Sequence, residues 1–171
     1  MPFKDHHTLS IDMGGMMGVR IATTEDIPAI VGMAEMMHEQ SDYASVPFVS
    51  EMYSGFLRIV FENEDYRCFV YERDGKIIGA IIGLVAPYMF SPEISAVDAG
   101  FFVLPEHRGG MTAIRLESAY REWAVWKAEL VGQESIKTRL CSSTGDMRAG
   151  AFFEKIGYNF VGGNYCRDVR C

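Results

Sequence analysis

The sequence predicts an α/β (α+β) domain in which a central mixed, mostly antiparallel sheet of about seven strands is flanked by four helices. Three observations carry this expectation. Asp74-Gly75 separates two apolar, β-branched runs and is the two-residue signal for a tight antiparallel hairpin. The stretch FFVLPEHRGGMTAIRL, residues 101–116, reads as a strand stopped by Pro105, a turn through Gly109 and Gly110, and the start of a helix. Short apolar runs and helical stripes then alternate along the chain from Val19 onward.

A chain of 171 residues with 49% apolar and 12% aromatic residues is long enough to bury about 70% of its extended surface in one core. Residues 19–171 are therefore expected to form a single domain. Residues 1–18, rich in glycine and methionine and without either period, read as a flexible extension. His6 and His7 lie there with no second ligand pair in the sequence, so no metal is expected. The net charge of −7 argues against nucleic acid and anionic membranes as partners and suits a cationic amine. The longest apolar stretch, 77–86, is about half a membrane span, and the N-terminal residues lack the apolar region of a secretory signal. A cytoplasmic protein is expected. Cys68, Cys141, Cys166 and Cys171 form no Cys-x-x-Cys pair, and Cys68 and Cys141 are read as core residues.

In chain order, 19–22 is a first strand, and Thr23, Thr24, Glu25 and Asp26 supply helix-start chemistry before Ile27, Ile30, Val31, Ala34 and Met37. The turn-rich segment 40–48 (QSDYASVPF) leads to a second helix with Val49, Met52, Tyr53, Phe56, Ile59 and Val60 as its apolar stripe. Strands at 66–72 and 76–86 form the hairpin, with Gly79 and Gly83 marking close packing or a bulge. A strand at 94–103 follows a connection through Pro87 and Pro92. The third helix carries Leu116, Ala119, Tyr120, Trp123, Trp126 and Leu130 inward, with Glu117 and Arg121 as an exposed i,i+4 pair. A strand at 135–142, a helix at 144–156 ended by Gly157, and a hairpin of 158–161 with 165–169 across Gly162-Gly163 complete the chain.

A strand feeding a glycine turn into a helix N-terminus presents unpaired amides at the positive end of the helix dipole, a site suited to phosphate. The chain has neither a Gly-x-Gly-x-x-Gly nor a Gly-x-x-x-x-Gly-Lys-Ser/Thr pattern. PEHRGGMTA instead resembles the acetyl-CoA pyrophosphate loop of the GNAT family of N-acetyltransferases, (Gln/Arg)-x-x-Gly-x-(Gly/Ala) after Val-x-Pro-x-x. Val103, Pro105, Arg108 and Ala113 match, while Met111 stands at the central glycine and Gly109 and Gly110 precede it. RAGAFFEKIGY is similar to a second family segment, with Ala149, Phe152, Glu154, Lys155 and Gly157 in register. VRIATTEDIPAI looks like the family's opening strand and helix, and the element order is that of the family, so the resemblance spans nearly everything after Gly18.

The resemblance implies acetyl-CoA as cosubstrate, without a metal. Its pantetheine would lie along Phe101, Phe102 and Val103, and its pyrophosphate on Arg108, Gly109, Gly110, Met111, Thr112 and Ala113. The 40–48 connection would line the acceptor pocket, with Glu39, Asp42 and Tyr43 facing the amine. Acyl transfer to an amine needs a base and a proton for the leaving thiolate. Asp98 on the fourth strand is the first candidate base and Glu93 the second. The family's tyrosine acid falls at Phe153, which has no hydroxyl; water, Ser142, Ser143 or Tyr165 are the other sources of that proton. The function implied is acetyl transfer from acetyl-CoA to a primary amine by direct attack in a ternary complex. The acceptor, a small molecule or a protein amine, stays open, as does monomer against homodimer. The alternatives are an acyl-CoA-binding or partner-binding protein with the same fold and little turnover, and a structural module with no cosubstrate.

Overall fold

The structure, a computed structural model, describes residues 18–142 and 147–163. Five strands form one sheet in sequence order: β1 (Val19–Ile21), β2 (Tyr66–Arg73), β3 (Lys76–Tyr88), β4 (Ser91–Val103) and β5 (Thr138–Arg139). The first four are antiparallel, and β5 joins β4 in parallel. The helices are α1 (Ile27–Glu39), α2 (Ser50–Glu62), α3 (Met111–Leu130) and α4 (Met147–Lys155). Pro28 sits in the first turn of α1, where a missing N–H breaks no bond.

The sheet is covered on both faces, so β2 and β3 are apolar at nearly every position. Cys68, Val70, Ala80, Ile82 and Phe102 point to α1 and α2 and meet Ile30, Met33, Leu57 and Val60. Phe69, Tyr71, Ile81, Val85, Ala96 and Val103 point to α3 and meet Leu116, Tyr120 and Trp123. Asp74 and Gly75 both take positive φ, 51° and 73°, as the two-residue hairpin requires. Gly83 is a close-packing glycine: a Cβ there would stand 2.6 Å from Trp123 Cζ3 and 2.7 Å from Tyr120 Cδ2. The β3–β4 register also shifts between Ile82 and Gly83.

Several expectations are corrected. Among the described residues the sheet has five strands, because 158–161 carries no strand; the proposed partner 165–169 lies outside the described residues. The Pro87–Pro92 connection is part of a long hairpin in which Tyr88 pairs with Ser91 around Met89 and Phe90. Pro87 is tolerated because β2 ends at Tyr66, opposite Leu84, leaving the outer part of β3 with one neighbour. The inward face of α2 is centred on Leu57 and Val60, whereas Met52 and Ile59 are 75% and 57% exposed. Leu130 ends α3 exposed. Glu117 is not exposed; it is 5% accessible, accepting from Arg121 Nε at 3.2 Å and from the Tyr158 hydroxyl at 3.0 Å. The fifth strand is shorter than 135–142 because the Gln133 side-chain amide takes its place beside Ile94, accepting from Ile94 N at 2.9 Å and donating to Ile94 O at 3.0 Å. Among the described residues the fourth helix begins at Met147. Residues 1–17, with His6 and His7, and Ser143, Tyr165, Cys166 and Cys171 lie outside the described residues.

Candidate active site

The site begins where β4 and β5 part. Their ladder pairs Ala96 with Thr138 and Val97 with Arg139, and no described strand lies on that edge of β4 beyond Val97. At the same height β4 is bulged: Asp98 faces Gly83 and Gly100 faces Ile82, so Ala99 is the extra residue and is exposed. The bulge reverses the side-chain alternation. Ala96 before it and Phe101 and Val103 after it thus belong to the α3 side, while Phe102 joins the α1–α2 side.

Asp98 occupies the fork. The residue is 8% exposed, and Oδ1 accepts from Cys141 N at 2.7 Å, the amide left over where β5 departs. Burial pushes this carboxyl up to about 6, against the pull of hydrogen bonds from Cys141. Cys141, expected in the core, is exposed because it lies past the end of β5. Glu93 is exposed near the β3–β4 turn, with its amide bonded to Ser91 Oγ at 3.2 Å. Asp98 and Glu93 are therefore not brought together, since β4 runs between them.

Below the fork β4 ends at Val103, Leu104 N donates to Ile78 O at 3.0 Å, and Pro105–His107 makes one 3₁₀ turn. Gly109 is left-handed, φ 80°, and Gly110 is the N-cap of α3 with no side chain to cap it and no acidic residue in the first turn. The amides of Met111, Thr112 and Ala113 are thus the ones the helix cannot satisfy internally. A Cβ at Gly109 or Gly110 would meet nothing within 4 Å, so the turn that precedes these amides is uncrowded. Met111 is already helical and has no need of glycine; the left-handed residue of this loop is Gly109. The Arg108 guanidinium lies over the Phe102 ring, with Nε donating to Val103 O at 2.9 Å and Nη2 to Gln40 Oε1 at 3.2 Å. It ties the loop to the end of β4 and to the residue that closes α1.

Phe153 reaches back from α4 and stacks on Phe101, 6.4 Å between ring centres and 18° between planes, with Tyr158 on another side. The Tyr158 hydroxyl is engaged, donating to Glu117 and accepting from Thr138 Oγ1 at 3.2 Å, and burial pushes it up to about 12. On the opposite face of the sheet, Glu39, Asp42 and Tyr43 are exposed at and after the end of α1. Tyr53 lies inside an aromatic row of His38, Phe48, Tyr53, Phe56 and Tyr66, its hydroxyl 3.7 Å from where a Gly100 Cβ would stand. Burial pushes that hydroxyl up to about 12. The sequence pattern marks Tyr53 as a packing residue and Cys141 as a core residue. The strand end that exposes Cys141 lies past the Val97–Arg139 pair and leaves no local signal.

Residues 64–160 match the family model described as Acetyltransferase (GNAT) domain, more than half of the chain. The chain belongs to the GNAT acetyltransferase family. No curated protein matches the sequence. Among solved structures, the GNAT fold is shared with aminoglycoside 6'-N-acetyltransferase AAC(6')-Ih from Acinetobacter baumannii, at 13% identity, TM-score 0.69, and coverage of 90% of this chain and 97% of that one. It is shared with AAC(6')-Iy in complex with a bisubstrate analogue, CoA-S-monomethyl-acetylneamine, at 16% identity, TM-score 0.69, and 90% and 97% coverage. A transcriptional regulator from Bacillus halodurans C-125 is similar at 17% identity, TM-score 0.68, and 88% and 98% coverage. Among the described residues of this GNAT domain no helix is long and apolar enough to cross a membrane, and no group of three or more His, Cys, Asp or Glu is placed to hold a metal ion.

Proposed function

We propose that the protein transfers an acetyl group from acetyl-CoA to a primary amine of a small, cationic molecule by direct attack in a ternary complex. The observation that carries this reading is the fork itself: an opened strand pair with a buried carboxyl at its base, running down to a helix N-terminus whose amides are open to an anion. These residues fit an acyl-CoA. The amides of Gly110, Met111, Thr112 and Ala113, beside the positive end of the α3 dipole, would hold the pyrophosphate, a setting worth about 0.3–2 kcal/mol depending on burial. The edge of β4 that faces no described strand, along Phe101 to Val103, would bond the pantetheine amides, with Val103 O already held by Arg108 Nε. Acetyl-CoA supplies an activated thioester; the protein supplies position and protons.

In this reading Asp98 accepts the amine proton, and the burial that lifts its carboxyl toward 6 brings it nearer the neutral range where a base works best. Arg108 shapes the loop through Val103 and Gln40. The amine enters from the α1–α2 face, past Glu39, Asp42 and Tyr43, where acidic groups favour a cation. The net charge of −7 supports the same acceptor class, and the fold is shared with aminoglycoside N-acetyltransferases.

Calorimetry with CoA, followed by CoA release from acetyl-CoA against a panel that includes neamine, spermidine and a lysine peptide, tests the reading. Saturable CoA binding with amine-dependent release is expected. Binding without release toward any amine would replace the enzyme with an acyl-CoA-binding protein, and absence of binding would remove both.

A further inference from the structure

We propose that the Tyr53 hydroxyl, set over Gly100 at the β4 bulge, donates a hydrogen bond to the acetyl carbonyl oxygen and holds the negative charge that gathers there when the amine attacks. This rests on the acyl-CoA reading of the fork given above. With pantetheine along Phe101 to Val103 and the sulfur beside Asp98, the acetyl group falls at Ala99 and Gly100. The bulge leaves Ala99 outside the β3–β4 pairing, and Gly100 has no side chain to cover the strand there.

Tyr53 reaches this point from α2, on the face from which the amine enters. Its Oη lies 3.7 Å from where a Gly100 Cβ would stand. The ring is held between Phe48 and Phe56, with 5.7 Å between centres on each side, so packing fixes where the hydroxyl sits. Among the described residues that hydroxyl has no hydrogen-bond partner, and it is not sealed in; the sealed side-chain atoms without partners are Arg67 Nε and Trp123 Nε1. Packing alone gives the oxygen no task, since phenylalanine would fill the aromatic row equally well. Burial pushes the hydroxyl up to about 12, so it keeps its proton at neutral pH, as a donor must. Other tyrosine hydroxyls near the fork are committed: that of Tyr158 lies between Glu117 and Thr138, and that of Tyr120 donates to Arg139 O at 3.2 Å. Ser142, exposed past the end of β5, is the competing hydroxyl.

One ammonium proton leaves to water before attack. The amine nitrogen then bonds to the acetyl carbon, and the carbonyl π pair moves onto oxygen, where the Tyr53 O–H meets it. That pair returns as the carbon–sulfur bond breaks, with the bonding electrons staying on sulfur. The surplus proton on nitrogen passes to Asp98 and from there, through water, to the CoA thiolate. Tyr53 keeps its own proton throughout and acts only through the hydrogen bond, which strengthens as charge develops on the oxygen.

Difference infrared spectroscopy of acetyl-CoA isotope-labelled at the acetyl carbonyl reads this bond without an acceptor or turnover. The bound carbonyl stretch should lie at lower wavenumber than in free acetyl-CoA. In Tyr53→Phe it should move back toward the free value, and in Ser142→Ala it should stay where the parent has it. Single-turnover CoA release, with neamine or water as acceptor, should fall by about 10²–10³-fold in Tyr53→Phe, while CoA affinity by calorimetry and the urea midpoint stay the same. Gly100→Ala, whose methyl would come between the hydroxyl and the strand, should reproduce both effects. A carbonyl stretch that is the same in Tyr53→Phe as in the parent, or that moves in Ser142→Ala instead, overturns the assignment and leaves the acyl-CoA site standing. Unchanged release by Tyr53→Phe also overturns it. Failure to bind acetyl-CoA removes both.

Discussion

Replacing Asp98 by Asn separates the electrostatics of the fork from its shape. The carboxyl is buried and its pKa is raised from 3.8 to about 6, so the folded protein holds this proton more tightly than the unfolded chain. The stabilisation this gives is fully present below 3.8 and is lost as pH rises through about 6. At about 1.4 kcal/mol per pH unit, keeping the ionised carboxylate in the fold at neutral pH costs about 3 kcal/mol. Asn keeps an oxygen for Cys141 N but cannot ionise, and its amide donor costs about 1–3 kcal/mol at every pH if left unpaired. The stability difference between Asp98→Asn and the parent should therefore move in favour of the variant by about 2 kcal/mol between about pH 4.5 and about pH 7.5. Urea unfolding at a series of pH values gives this difference directly. Turnover should meanwhile fall by about 10²–10⁴ at neutral pH and recover partly at high pH, where the amine is already neutral. Parallel stability–pH curves for the two proteins would refute the reasoning, because they would show a solvated carboxyl that does not close the fork.

Gly83→Ala should lower stability by about 1–3 kcal/mol in urea unfolding, since its Cβ would lie 2.6 Å from Trp123 and 2.7 Å from Tyr120. Gly110→Val should leave the urea midpoint nearly unchanged, because the space around its Cβ is open, and should weaken CoA binding by about 10-fold or more in calorimetry by crowding the approach to the α3 amides. Phe153→Tyr should fold as well as the parent, its ring being only half-buried, and should speed single-turnover CoA release by placing a hydroxyl in the cleft. A lowered melting temperature without faster release would place the Phe153 ring edge in the core.

The parts of the fold that announce themselves in the sequence are those whose cause is local. Asp74-Gly75 fixes the hairpin through backbone conformation alone. Gly79 and Gly83 mark close approach, and Pro105 with Gly109 and Gly110 marks the end of β4 and the start of α3. The parts that stayed hidden depend on distant partners. Glu117 looks like one half of a surface i,i+4 pair until Tyr158, 41 residues on, brings a hydroxyl that helps satisfy it. Gln133 replaces a strand residue beside Ile94, 39 positions away, and so shortens β5. Met52 and Ile59 share an apolar period with Tyr53 and Val60, and only the seating of α2 against the sheet decides which of them is buried. At the site, a carboxylate on β4 and a glycine turn into the N-terminus of α3 were legible from residue type and spacing. Cys141 was not, because its exposure follows from where β4 and β5 separate.

A crystal structure of the protein with CoA tests the central claim most directly. The account predicts density for the pyrophosphate on the amides of Gly110, Met111, Thr112 and Ala113, pantetheine along Phe101 to Val103, and the sulfur at the fork beside Asp98 and Cys141. CoA bound elsewhere on the protein, or a fork closed by continued β4–β5 pairing in the presence of saturating CoA, would contradict it.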